Sequence, residues 1–387
     1  MSNASPACFH GGSFFEAIGE RFDDLSRRHD VINADVLDAW FPPAPAVLSA
    51  LQHHLDWLAR TSPPVAAAGL QAAVAAARGL SEESVLVGAG SSDLIFLALR
   101  EWLSPRSTAL ILDPMYGEYA HVLENVVRCT VDRFPLRRAD GWRIDLDAFA
   151  RTIRRGYDLV VIVNPNNPTG QYVSRVDLEL LIDRIPPRTR VWIDEAYLEY
   201  VPRAESIERV AARTPNVTVC KSLSKVYALS GMRAAYLCAS PNALAPLRIV
   251  TPPWAVSLPA QVAGVRALGA GPYYSRRYEE TRTLRRDLEL SLMTVPGIEQ
   301  VTGEANFVLC HLSPGGPTAA TVIQRCRAER VYLRDTTSMT GGRELGPHTL
   351  RTAVKDTLRN QRIVDAIARA LVDSTAAPRR VTESFAS

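Results

Sequence analysis

Three side chains in this sequence stand where the chain leaves an apolar run, and each is of a type that does chemistry at such an edge. Lys225 follows the run NVTVC, in the string Ser222-Leu223-Ser224-Lys225. Asp194 ends the run VWID and opens DEAY. Asn167 lies in Asn164-Pro165-Asn166-Asn167-Pro168-Thr169-Gly170, after LVVIV. A lysine is nucleophilic only as the neutral amine, which nearby positive charge favours; Arg233, in GMR, can supply that charge. Ser222, Ser224 and Arg233 are also donors suited to a phosphate dianion beside the amine. Each residue has a plainer reading. A lysine is usually at the surface, an aspartate after a strand is often a helix N-cap, and Asn, Pro and Gly build turns anywhere. The string NPNNPTG is far more specific than a generic turn.

A second anion cradle is offered by Gly88-Ala89-Gly90-Ser91-Ser92-Asp93, between a strand and a helix. Backbone N–H groups at a helix start bind phosphate through unsatisfied donors and the helix dipole. Tyr116, in Pro114-Met115-Tyr116-Gly117, can stack on a flat ring, although a core tyrosine is the commoner fate. Together these residues answer four demands: an amine for an aldehyde, a carboxylate to keep a pyridine nitrogen protonated, a donor for a phenolic oxygen, and a phosphate cradle. Those are the demands of pyridoxal 5'-phosphate (PLP), whose protonated ring is an electron sink.

The elements that must position these groups are legible as alternating strands and helices. Ser84–Gly88, Thr108–Asp113, Asp158–Asn164, Arg190–Asp194, Asn216–Cys220 and Ala234–Leu237 are expected strands, with helices over Ser92–Trp102 and from Gly117. Near-continuous Val/Ile/Leu runs suit strands buried on both faces of a mostly parallel sheet. The expected fold class is therefore α/β, with the ligand site beyond the carboxyl ends of the strands. After Pro252-Pro253 the pattern changes to a long helix near Tyr273–Met293, strand Asn306–Cys310, helix Thr318–Glu329, strand Thr349–Val354 and a helix through Ile363–Leu371. The expected division is a large domain over 46–265 and a smaller α+β domain from 1–45 and 266–387.

With 387 residues, 47% hydrophobic and 22% charged, the composition is that of an ordinary globular protein. A net charge of +3, with no dominant basic stripe, argues against nucleic acid as a partner. The Arg276–Arg286 run reads as the solvated face of a long helix. No apolar stretch is long enough to cross a bilayer, and the N-terminus has no signal-peptide core. Six scattered cysteines without a CxxC pair suggest reduced, mostly buried thiols in a cytoplasmic protein, and no metal site.

Taken together, GAGSSD, PMYG, NPNNPTG, DEAY and SLSK…GMR resemble the class I/II aminotransferases, and within them the branch of histidinol-phosphate aminotransferase and threonine-phosphate decarboxylase. The resemblance runs from about residue 80 to 355. It implies a fold-type-I PLP enzyme with a mostly parallel seven-stranded sheet, acting on an amino-acid-like small molecule as a homodimer with the active site at the interface. It implies Lys225 as Schiff-base lysine and proton shuttle, Asp194 at the pyridine nitrogen, and Asn167 with Tyr197 at the phenolic oxygen. Ser222, Ser224 and Arg233, helped by Ser91 and Ser92, would hold the phosphate. Arg351, in LRTAV, matches the arginine that clamps the substrate carboxylate, a task suited to a bidentate guanidinium. Transamination is the expected reaction; the alternative is decarboxylation, β/γ-elimination or carbon–carbon bond formation with the same residues.

Three features depart from the pattern. His10-Gly11-Gly12 resembles a segment of threonine-phosphate decarboxylases, which places His10 with the substrate residues. The usual Asn-Pro entrance segment is replaced by the stretch Asn33–Pro43, with Asp35, Asp38, Trp40 and Phe41. Asn33 and this stretch are read either as a pocket reshaped for something large or cationic, or as a surface loop. The partner-subunit tyrosine usual near the phosphate has no match in Arg60-Thr61-Ser62-Pro63-Pro64.

Overall fold

The computed structural model describes residues 11–301, 303–339 and 345–372. A two-residue strand, β1 (Ile32–Asn33), leads to the helix Pro45–Arg60. The chain then builds β2 (Val85–Gly88), β3 (Thr108–Asp113), β4 (Thr130–Pro135), β5 (Leu159–Val163), β6 (Arg190–Asp194), β7 (Val217–Ser222) and β8 (Ala235–Cys238). These form one seven-stranded sheet in the order β2-β8-β7-β6-β5-β3-β4. The pairs from β4 to β7 are parallel, and β8 runs antiparallel to both neighbours. Every residue of β5 and β7 is buried, as a sheet covered by helices on both faces requires. The mostly parallel sheet thus stands as expected.

Strand β4 was not foreseen. It lies at the sheet edge and is mostly exposed or half-buried, so its sequence TVDRFP carries no continuous apolar run. A second, four-stranded antiparallel sheet combines β9 (Ile298–Val301), β10 (Phe307–Leu312), β12 (Arg334–Asp335) and β13 (Thr349–Ala353). Between β10 and β12 in the chain, β11 (Val331–Tyr332) pairs in parallel with β1. Two-residue strands leave almost no periodic signal, and β1, β11 and β12 were not expected either.

The long helix spans Gly271–Met293 and buries Tyr274, Tyr278, Thr281, Arg285, Leu288, Glu289 and Leu292. These recur every three or four positions, which places Arg285 on the inward stripe. The expectation of a purely solvated arginine run is therefore corrected at Arg285: its Nη1 donates to Glu289 Oε1, one turn on, at 2.6 Å. That pairing lets the charge enter the interior. Among the described residues, Cys129, Cys220, Cys238, Cys310 and Cys326 are free and buried, and no helix is long and apolar enough to cross a membrane.

One buried group ties stability to pH. His311 on β10 is 3% exposed, lies flat against Trp142 at 5.8 Å, and its Nε2 has no hydrogen-bond partner. Burial, aided by Arg138, pushes its pKa down to about 4. The unfolded chain then binds the extra proton first, between pH 6.5 and 4, so stability falls as pH drops through that window. From pH 7 to pH 5 the loss from this group is about 2 kcal/mol. Denaturant titrations of wild type and His311→Phe at both pH values check it; equal losses in the two proteins would refute the assignment.

Candidate active site

Five strand ends converge on one edge of the large sheet, and register brings their residues together. Gly88 pairs with Ala235, and Ala235 with Ser222; Val163 pairs with Asp194, and Asp194 with Cys220. Because β8 is antiparallel, it contributes its N-terminal end to this edge, and Arg233 sits just before it. The edge opens into a cavity of about 630 Å³, within the range of small-molecule sites. Its walls include Ser91, Ser92, Tyr116, Asn167, Asp194, Tyr197, Ser222, Lys225, Arg233 and Arg351. Ten of the residues singled out from sequence thus share one cavity.

Lys225 lies in the first turn after β7, where Ser222 Oγ caps the helix by accepting from Ser224 N–H at 3.2 Å. Tyr200 pins the lysine backbone, donating to Lys225 O at 2.8 Å. Asp194 is buried. Its Oδ2 accepts from Tyr119 Oη at 2.7 Å and its Oδ1 from Ala196 N–H at 3.0 Å. Tyr119 in turn accepts from Trp192 Nε1 at 2.7 Å. Burial pushes the Asp194 carboxyl up to about 6 against the lowering pull of these donors, with Glu118 adding to the rise. A buried carboxylate in that state is stabilised by any cation placed against it.

Asn167 follows β5 in a turn whose Asn164–Pro165 and Asn167–Pro168 bonds are cis. Its Oδ1 accepts from Arg351 Nη1 at 2.5 Å, and Arg351 Nη2 donates to Asp35 O at 2.7 Å. Arg351 is buried on β13, opposite Arg334 across the strand pair. Burial, with Arg334 adding like charge, brings its pKa down to about 10. An arginine that still lies in this cavity, with its Nε unpartnered, is ready for an anion. Tyr116 lines the cavity near Tyr119, its ring centre 6.1 Å away and nearly perpendicular.

The anion cradle is built around a helix start. Helix Ser91–Trp102 begins there with Gly90 as N-cap at φ 102°. A Cβ on Gly90 would lie 2.5 Å from Arg233 Nη2, so only glycine lets the guanidinium close over the helix start. Arg233 itself holds φ 57° and donates through Nη1 to Ser230 O at 2.9 Å. Ser92 Oγ donates to Glu118 Oε2 at 3.0 Å. Hydroxyls, a helix N-terminus and a guanidinium in one corner, with a buried carboxylate across the cavity, are a donor set that fits PLP.

Two candidates lie elsewhere, and a third, His10, lies outside the described residues. Ser224 is buried behind Arg233, whose Nη1 approaches its Oγ at 3.5 Å, and does not line the cavity. Asn33 stays within its own turn, accepting from Val36 N–H at 3.1 Å. The stretch Asn33–Pro43 is no surface loop: Trp40 Nε1 donates to Thr281 Oγ1 at 2.9 Å, Phe41 packs on Tyr274, and Val36 and Leu37 line the cavity. Asp35 is 1% exposed and accepts from Gly12 N–H at 2.9 Å. A Cβ on Gly11 would strike that carboxylate at 2.6 Å, so glycine at position 11 leaves Asp35 its place.

Glu118, Tyr119, Asp38, Arg334 and Lys355 were missed as site residues. Tyr119 had a signal, since it follows Tyr116 by one helical turn. Lysine usage held a stronger one. Of 44 lysine and arginine residues only Lys221, Lys225 and Lys355 are lysines. Where arginine serves everywhere else, a lysine marks a place that needs a compact ammonium or an amine.

A family model described as aminotransferase class I and II matches residues 33–367. A histidinol-phosphate aminotransferase of Symbiobacterium thermophilum is 30% identical over 356 residues, covering 91% of this chain and 95% of that one. In shape the chain is similar to the histidinol-phosphate aminotransferase of Sinorhizobium meliloti in complex with pyridoxal-5'-phosphate. The TM-score is 0.82 at 20% identity, over 97% of this chain and 99% of that chain. The L-threonine-O-3-phosphate decarboxylase of Porphyromonas gingivalis gives a TM-score of 0.76 at 21% identity, over 88% and 99%.

Proposed function

Because the chain belongs to the class I and II aminotransferases, which are PLP-dependent enzymes acting on amino-acid-like substrates, we propose that this cavity is the catalytic site and that its reaction is transamination. The observation that carries the reading is the meeting of Lys225, Asp194 and Arg351 in one cavity, each delivered by a different strand. When bound, the cofactor supplies an electron sink for the substrate α-carbon. Lys225 would hold it covalently, Asp194 would sit at its pyridine nitrogen, and Asn167 and Tyr197 at its phenolic oxygen. Ser91, Ser92, Ser222 and Arg233 would hold its phosphate.

The chain's own tasks follow. Arg351, braced by Asn167 and Asp35 O, binds the substrate carboxylate and so fixes which bond at the α-carbon faces the ring. Lys225 Nζ, once released, takes the α-proton and carries it within the site. Asp194, kept dry and bonded to Tyr119, keeps a positive charge opposite it. Val36 and Leu37 exclude water from one wall.

A second copy of the chain is the proposed partner. Leu55, Trp57, Val65, Ile249 and Trp254 are exposed, and the loops bearing Val65 and Trp254 are joined by Ala66 N–H to Pro253 O at 2.9 Å. Exposed apolar side chains of this kind suit a homodimer contact.

The test is reconstitution with PLP, then absorbance and product mass spectrometry with a panel of amino acids and histidinol phosphate, with and without a keto-acid acceptor. Loss of the visible band with release of a keto product supports transamination. Release of CO2 or of a side-chain fragment without need of an acceptor would overturn it.

A further inference from the structure

The unusual stretch Asn33–Pro43 brings a carboxylate to the amine on which the proposed function rests. Lys225 Nζ donates to Asp38 Oδ1 at 3.1 Å. Asn33 Nδ2 donates to Asp38 Oδ2 at 3.3 Å; Ser230, beyond Lys225, donates to Ser224 O at 3.2 Å and helps hold the Asp38 pKa down. On the other side Lys355 Nζ donates to Asp38 O at 3.2 Å, while its own N–H is held by Asn360 Oδ1 at 2.8 Å. Two of the chain's three lysines therefore meet at one residue of the entrance stretch.

Asp38 does not line the cavity, whereas Lys225 does. The carboxylate approaches the lysine from outside the space a cofactor would fill. In any amino-transfer cycle Lys225 alternates between a covalent and a free amine. A free four-carbon cation has many rotamers, and holding it in one costs side-chain entropy.

We propose that Asp38 is a positioning residue beside the Lys225 nitrogen, which it holds whenever that nitrogen carries a positive charge, with Lys355 fixing the carbonyl end of the same residue. No covalent bond is made or broken in this hold: the ion pair forms once the neutral Lys225 amine has taken up a proton and loosens when that proton is handed on, so the neutral amine stays free to act as the base. Burial works against the charge on Asp38, but Lys225, Ser230 and Lys355 outweigh it and hold the carboxyl below the usual range. Burial pushes Lys355 down to about 8 against the pull of Asp38. The other charged and titratable groups facing this cluster are Tyr197 and Tyr200 after β6, and Asp356 and Arg359 after β13. This inference rests on the assignment of Lys225 as the cofactor-binding lysine.

Three lysines make the test direct. Protein labelled with ¹³C at lysine Cε gives three resonances, with Lys221 as an internal control on a separate buried cluster. In the cofactor-free protein, Asp38→Asn should move the Lys225 and Lys355 resonances and leave that of Lys221 in place. After reconstitution, the pH at which the visible band of the resting enzyme changes should fall by about 1 unit or more, because a carboxylate beside a protonated nitrogen favours the proton. Asp38→Glu should restore both readouts. An unmoved Lys225 resonance, with an unchanged spectral transition in Asp38→Asn, would overturn the proposal. Absence of any visible band in reconstituted wild type would instead overturn the assignment of Lys225, and the resonances of the cofactor-free protein would still decide the contact with Asp38.

Discussion

Lys225→Ala is expected to lack the visible band of the reconstituted wild type and to lose turnover by about 10²–10⁴-fold from the missing proton transfer alone. The fold should survive. The Lys225–Asp38 pair is part-exposed, at 20% and 34% of the two side chains, and such pairs contribute about 1 kcal/mol or less. Asp38 keeps Asn33 as a partner, and the Tyr200 bond goes to the lysine backbone, which alanine retains. Unfolding midpoints within about 1 kcal/mol of wild type, beside a lost band, would separate a chemical defect from a structural one. Borohydride reduction followed by peptide mapping names the lysine that carries the cofactor. With only Lys221 and Lys355 as competitors, a label on either would refute the assignment.

The largest loss of stability is expected from the neighbouring lysine. Lys221 is 2% exposed and reaches Glu199 Oε1 at 2.9 Å and Glu195 Oε2 at 3.4 Å. Arg78 joins through Glu199 at 2.9 Å and Glu208 at 3.8 Å. Burial raises the Glu195 pKa in spite of the lysine, whereas at Glu199 the attraction of Lys221 and Arg78 prevails and the pKa falls. Removing the shared cation leaves both carboxylates dry and less compensated. Lys221→Met should therefore destabilise the protein by about 3–5 kcal/mol. The sign with pH follows from the raised folded pKa of the abandoned carboxyls: the deficit is full at neutral pH and shrinks as acid neutralises them. Adding Glu199→Gln should recover part of it. Denaturant midpoints of the three proteins at pH 5 and 7.5 check this, and a single variant as stable as wild type would show that the cluster is not coupled.

These two lysines illustrate what could be read without coordinates. Lys225 was legible because SLSK follows an apolar strand, and Asp194, Asn167 and Arg233 were legible for the same kind of local reason. Interior strands were legible because burial on both faces writes a continuous apolar run, while the edge strand β4 and the two-residue strands write none. Lys221, four residues before Lys225, has no local signature, since its partners Glu195 and Glu199 become neighbours only when β6 and β7 pair. Asp38 was noticed as an odd acid, yet its contact with Lys225 spans 187 positions and has no local signature. Tyr119 and Glu118 reach Asp194 and Ser92 across separate strand ends and were missed likewise.

The order of the large sheet bears on when this chain becomes competent during folding. Gly88 meets Ser222 only through Ala235 of β8, and Arg351 meets Asn167 across 184 positions. The shortest contiguous fragment that contains the amine, the carboxylate, the phosphate corner and the carboxylate clamp together runs from about Gly90 to Arg351. Contacts so distant in sequence form slowly, because loop closure must precede their reward. The cavity is thus a late product of folding, completed when the last sheet docks β13 beside β10. A ligand that binds there recognises the finished molecule alone, and its whole affinity counts toward the native state and none toward partly folded chains.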